Sequence, residues 1–316
     1  PGGLNPAIPA DFQNSSKFSF DSEKISAFEV GSKNTVMDGS MLLNSALFYY
    51  DYKGLQVSRI VNNSAINENI DATIWGIESE MIWRPDAVPG LNIDLGYSYT
   101  KTKVGSSESI DPTNRTAGNP AWRTLNNLDP GALQGTNFIA EEANLAAALP
   151  GCLALKAVNN TASLSYPDGT PALWSRNCLN ASNVTTSDGL TTSLSGNELP
   201  NTPKQSISLG MDYTWKVERL NGDIVLRWDY YWQGESFARE FNTVGDEIDS
   251  WDQHNAKLFY TSSDQRWHVS AFVRNIQNKD NVTGHYLTSD TSGFFRNYFL
   301  TEPRIWGASL RYSFGS

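Results

Sequence analysis

Nowhere in its 316 residues does the chain hold the roughly 18 consecutive apolar residues that a membrane-spanning helix requires. Histidine is scarce: His254, His268 and His285 are scattered, without metal-ligand spacing, and read as isolated surface or wall residues. Neither a metal nor a cofactor is expected. No phosphate-cradling glycine loop and no Gly-x-Ser-x-Gly elbow occurs, so no catalytic residue is assigned and the chain is not expected to be an enzyme. Basic residues are outnumbered, 24 Lys and Arg against 34 Asp and Glu, and the net charge of −10 argues against a nucleic-acid partner. Only two cysteines are present. Cys152 and Cys178 share one polar stretch, which suits a disulfide formed in an oxidising compartment, the periplasm or beyond. The opening Pro1-Gly2-Gly3-Leu4-Asn5-Pro6 has neither the basic start nor the apolar core of a signal peptide. It reads as the middle of a loop, with further sequence expected upstream.

What the chain does have is aromatic residues, 12% of the total, on a polar background with mean hydropathy −0.42. A transmembrane barrel averages out as polar because lumen-facing and lipid-facing residues alternate. A secreted all-β sandwich shares this composition. Strand length separates the two. Leu91, Ile93, Leu95, Tyr97 and Tyr99 alternate with Asn92, Asp94, Gly96, Ser98 and Thr100. The same period of two runs through Ile207, Leu209, Met211, Tyr213 and Trp215, and through Ile224, Leu226, Trp228, Tyr230 and Trp232. These runs reach about 10 residues, enough to cross a bilayer at a tilt, whereas sandwich strands average about 5–6. Further strands are expected around Phe28 to Lys33, Met41 to Tyr52, Trp75 to Trp83, Trp251 to Tyr260, Trp267 to Asn275 and Arg304 to Phe314. Met41 to Tyr52 is apolar on both sides, which leaves its register open.

The connections alternate in length. Asn34 to Gly39, Pro85 to Gly90, Val217 to Asp223 and Ser262 to Gln265 are short turns; Asn62 to Asp71, Val104 to Lys204, Gly234 to Ser250 and Gln277 to Thr301 are long loops. Short periplasmic turns and longer extracellular loops give this order. Trp83, Trp215, Tyr312 and Phe314 fall at the short-turn ends, and Tyr97, Tyr99, Tyr230 and Trp232 towards the long-loop ends, as two interfacial girdles would require. Val104 to Lys204 holds both cysteines and one helical patch, Glu141 to Leu149.

Several stretches resemble the closing part of a TonB-dependent receptor. They are Glu29-Val30-Gly31-Ser32-Lys33 with Asp38-Gly39 and Leu43 to Tyr52; Gly76-Ile77-Glu78-Ser79-Glu80; Leu199-Pro200-Asn201-Thr202-Pro203; and Arg274-Asn275-Ile276 with Lys279, Pro303-Arg304 and Tyr312-Ser313-Phe314. Their order is that of the family. The resemblance implies an all-β chain, roughly the last nine strands of a 22-stranded antiparallel barrel, spanning residues 1–316 with 104–204 as a disulfide-bearing extracellular loop. It implies energised uptake of a scarce ligand, such as a ferric siderophore, haem, cobalamin or a saccharide, across the bacterial outer membrane. The implied partners are outer-membrane lipid, the rest of the barrel with its plug domain, the TonB complex acting through the missing N-terminal part, and a small-molecule ligand. Plug and N-terminal strands are absent from this sequence. So few strands would leave two unpaired edges, so a longer polypeptide or a split barrel is expected. Gly315-Ser316 departs from the family's aromatic ending.

Ligand-binding candidates come from arginines beside aromatic rings in the long loops: Trp122 and Arg123, Trp174 and Arg176, Arg239 and Phe241, and Phe295, Arg296 and Tyr298. Flat apolar faces stack on sugar or aromatic rings, and guanidinium forks hold carboxylates or phosphates. Loop-to-loop packing would use the same residues. The inward charges Arg227, Asp229, Arg274 and Arg311 suit a lumen wall or a plug contact. A passive porin or structural barrel, and a secreted carbohydrate-binding sandwich, are the competing functions.

Overall fold

The computed structural model describes residues 2–4, 19–61, 64–127, 137–158, 173–174 and 176–314. The readings made for Pro1, Asn5-Pro6, Ser175 and Gly315-Ser316 lie outside the described residues. Nine strands form one antiparallel sheet in which every neighbour is sequential. They are β1 Lys24–Val36, β2 Met41–Val61, β3 Ser64–Trp83, β4 Leu91–Val104, β5 Gln205–Val217, β6 Gly222–Gln233, β7 Trp251–Ser262, β8 Trp267–Arg274 and β9 Ile305–Tyr312. The sheet is open: β1 and β9 each pair on one side only among the described residues.

Partners directly opposite in an antiparallel ladder point to the same face, so register carries the apolar face from strand to strand. One row runs Leu43, Met81, Leu95, Leu209, Tyr230 and His254; another runs Trp215, Ile224, Tyr260, Val269 and Leu310. This settles the register of β2, with Met41, Leu43, Ser45, Leu47 and Tyr49 on the apolar face and Leu42, Asn44, Ala46, Phe48 and Tyr50 on the other. Much of the apolar face is bare, with Val30 76%, Trp306 80% and Leu310 65% exposed. On β4 and β5 the opposite face is polar. There the Arg227 guanidinium bonds Asp94 through two nitrogens (2.9 and 3.2 Å), and Asp229 (2.7 Å) and Asp212 (3.2 Å). Gly210 makes room for it, since a Cβ there would come within 2.3 Å of Arg227 Nη2.

The stretch Asn62 to Asp71, expected as a loop, is a correction. From Ser64 onward it is strand, and β2 and β3 run beyond the wall as a projecting hairpin. Between Tyr52 and Leu55 the ladder shifts, with Lys53 and Gly54 bulging opposite Asp71. Gly54 takes the left-handed φ of +67° that the bulge needs. One extra residue inverts the alternation, so even-numbered residues share the polar face up to Tyr52 and odd-numbered ones after Leu55. Asp71 caps the bulge by accepting the Gly54 amide (2.9 Å), and Asn69 Nδ2 donates to Gly54 O (2.7 Å).

Val104 to Lys204 is not a simple loop but a folded lobe. Trp122–Asn127 and Asn137–Glu141 pair antiparallel, flanked by Leu173–Trp174 and Thr186–Ser187. The helical patch is longer than expected, α1 spanning Glu142–Val158, and a second short helix, α2, covers Arg176–Ala181. Leu145, Ala148 and Cys152 recur at helical spacing along α1 and pack with Leu125, Phe138, Ala140, Leu179 and Val184. The Cys152–Cys178 disulfide joins α1 to α2. The two other long connections are also structured, as hairpins Ser236–Phe237/Glu247–Ile248 and Val282–Leu287/Arg296–Leu300.

Candidate ligand-binding site

All four long connections emerge at the same end of the sheet and pack together. Ile70, Ala72, Val104, Leu194, Leu199 and Phe241 form a buried cluster drawn from the projecting hairpin, the lobe and the segment after β6, with Leu55 and Val57 against it. Burial of each large side chain here contributes about 1.5–3 kcal/mol. Above this floor lies a cavity of about 400 Å³, lined by residues of all four connections, among them Leu55, Val57, Pro112, Leu199, Phe241 and Tyr286. A second cavity, of about 620 Å³, lies between the hairpin and the lobe, lined by Glu68, Ser106–Ile110, Arg176 and Thr186–Gly189.

Ion pairs hold the connections together. Asp246, wholly buried, accepts from Arg239 Nε (2.6 Å) and Nη2 (3.0 Å) and from the Thr243 amide (3.1 Å). Arg239 Nη1 reaches across to Asp111 Oδ1 of the lobe (3.3 Å), and Arg296 Nη2 of the last hairpin lies 3.8 Å from Asp246. Burial alone would lower the Arg239 pKa, but the bonds and charge of Asp246, joined by Asp111, outweigh it and leave it raised. A second bridge, Arg115 Nη2 to Asp290 Oδ2 at 2.9 Å, is buried and binds the lobe to the last connection. Asp290 also takes the Asn137 amide (2.6 Å). His285, 5% exposed, lies against the Tyr298 ring (5.3 Å); burial, then Arg296, lowers its pKa.

The expected site residues fall into three groups. Arg239 and Phe241 line the smaller cavity, the guanidinium lying over the ring at 5.2 Å. Arg296 shares Asp246 with Arg239, while its neighbours Phe295 and Tyr298 are more than half exposed. Trp122 and Arg123 lie on a lobe strand, Arg123 reaching Glu142 at 3.5 Å, and Arg176 lines the larger cavity, paired with Asp188 at 2.6 Å. Trp174 sits on the strand beside Trp122–Asn127, paired with Asn127. Reading by sequence missed the carboxylates Asp111, Asp246 and Asp290 and the apolar wall of Leu55, Val57 and Tyr286. Gly54, inside an apolar strand, was the available signal for that wall.

The profile of the family described as TonB dependent receptor-like, beta-barrel, matches residues 3–175 and 142–276. The chain belongs to this family. No curated protein sequence matches it. Among solved structures, this TonB-dependent receptor barrel is similar to the ferric yersiniabactin uptake receptor FyuA from Yersinia pestis, at TM-score 0.55 and 14% identity over 94% of this chain and 31% of that one. It is also similar to the siderophore receptor PiuA from Acinetobacter baumannii (0.52, 16%, 96% and 30%) and to the ferric-catecholate import receptor Fiu from K12 E. coli (0.50, 16%, 98% and 30%). At such identities the likeness is one of fold. The chain spans about a third of the length of these receptors.

Proposed function

We propose that the chain forms part of the wall and the outer mouth of a bacterial outer-membrane receptor that takes up a scarce small ligand in an energised, TonB-dependent way. The observation that carries this reading is the folding of all four long connections over one end of the sheet, enclosing a cavity, while the other end has only short turns. The bare apolar face suits lipid, because in water such a surface would be an aggregation site. The remainder of the barrel, its plug and the inner-membrane TonB complex are the partners this reading calls for. The named functions of the similar receptors make a ferric chelate the first ligand to try.

The test uses the full-length receptor in intact cells. Uptake of a radioiron-labelled siderophore panel is measured against a deletion strain, with and without a protonophore. Uptake of one chelate that needs both the gene and the proton gradient is expected. Gene-dependent entry that survives the protonophore would favour the porin.

A further inference from the structure

We propose that the smaller mouth cavity receives an uncharged, ring-bearing portion of the ligand and rejects an anionic one. This assignment rests on the receptor reading above and adds the chemistry of the subsite. Leu55, Val57, Leu199, Phe241, Tyr286 and Leu287 supply its apolar walls, and among the described residues that line it only Arg239 and Glu240 are charged.

An arginine at a cavity wall invites the reading that it grips a carboxylate or phosphate. Here the fork is already spoken for. Nε and Nη2 hold the two oxygens of Asp246, Nη1 holds Asp111, and Nη2 also reaches Thr243 Oγ1 at 3.3 Å. An incoming anion would have to compete with Asp246 and Asp111 for that fork, and displacing Asp246 would leave a wholly buried carboxylate with the more distant Arg296 (3.8 Å) as its cation. What Arg239 offers the cavity is the flat stack it makes on Phe241.

The neighbouring cavity points the same way. Val57 and Glu68 are cross-strand partners, so the hairpin that lines the apolar cavity also lines the larger one. Among the described residues that cavity presents Glu68, Glu108 and Asp188 against a single cation, Arg176, which is paired with Asp188. An anionic ligand would find repulsion in one chamber and no available donor fork in the other. Tyr286, 41% exposed, is the ring placed to stack on what enters.

The test compares two fragments of equal shape that differ in charge, benzamide and benzoate. Saturation-transfer NMR is recorded on the purified full-length receptor in detergent. Benzamide is expected to bind with a Kd on the order of millimolar, and benzoate roughly tenfold more weakly or not at all. Tyr286→Ser, at a half-open position, should remove most of the benzamide signal, and Val57→Asp should do the same through the opposite wall. Benzoate binding as well as benzamide, neither fragment binding, or benzamide unaffected by both substitutions would each overturn the assignment. Uptake in cells is scored separately. Energised uptake without fragment selectivity refutes the subsite and leaves the receptor reading standing; fragment selectivity without energised uptake does the reverse.

Discussion

Replacing Asp246 by alanine should release the mouth without disturbing the wall. Asp246 is wholly buried and accepts from Arg239 twice and from Thr243 through both its amide and its hydroxyl. Its removal strands Arg239, which is 11% exposed at the side chain, with Asp111 as its remaining carboxylate at 3.3 Å. Breaking one side of a buried pair costs about 3–5 kcal/mol, and the surviving Asp111 contact places the expected loss at the low end, about 3 kcal/mol. That loss should be local, because none of these groups lies in the ladder between β1 and β9. Hydrogen exchange on the full-length receptor reads it directly. Amides of residues 236–248 and 282–300 should exchange on the order of a hundredfold faster, since each 1.4 kcal/mol or so is a factor of about ten. Amides of β4, β5 and β6 should not change. An effect below about threefold would refute the claim that this ion pair holds the mouth, and accelerated exchange throughout the wall would refute its independence.

Three further outcomes are expected. Asn275→Ala should unpin the base of the last connection, since Asn275 Nδ2 donates to Lys279 O (2.8 Å) and Glu302 O (2.9 Å) and its Oδ1 accepts the Lys279 amide (3.1 Å). About 1 kcal/mol per bond predicts roughly 3 kcal/mol, read as faster exchange at Lys279. His285 has a folded pKa below its ordinary 6.5, so its contribution is fully present above that value and is lost as pH falls through it towards the folded pKa. Protection across Val282–Leu287, taken relative to the intrinsic exchange rate at each pH, should therefore fall as the pH drops below about 6.5, and His285→Gln should flatten that dependence. Leu209→Arg, on the apolar face between Leu95 and Tyr230, should cost about 2–4 kcal/mol and deplete the heat-modifiable, folded band on unboiled gels. Normal assembly of that variant would place the face in water.

The strands could be read from sequence because a period of two over a long run has few other meanings, and β4, β5 and β6 keep it almost unbroken. The limits of that reading are equally physical. In β2 both faces are apolar, and Gly54 then inverts the alternation, so the period fails where the strand continues. Asn67, Glu68 and Asn69 look like turn residues, yet Asn69 bonds Gly54 O and the Asp21 amide (2.7 Å) and so supports an extended hairpin. Arg239, Phe241 and Arg296, picked from sequence as ligand-binding candidates, lie among the connections at one end of the sheet, where Arg239 and Arg296 share Asp246, a pairing the sequence did not show. Asp246 lies only seven residues from Arg239, but the carboxylates that tie one connection to another come from far along the chain: Asp111 is 128 residues from Arg239, and Asp290 is 175 from Arg115. No local pattern encodes a pairing over such a span.

The lobe enters and leaves the wall at nearly one place. β4 and β5 are already paired at Ser98 with Ser206, the Thr100 amide bonds Lys204 O (2.9 Å), and Val104 exchanges bonds with Asn197 and Gly196. Everything between is therefore an insertion into a hairpin that is complete without it, with its own apolar centre and its own covalent cross-link. Such a cassette can diverge, be exchanged between relatives or be cut out by an engineer without asking any wall strand to change register. The mouth can thus acquire a new preference while the wall stays as it is.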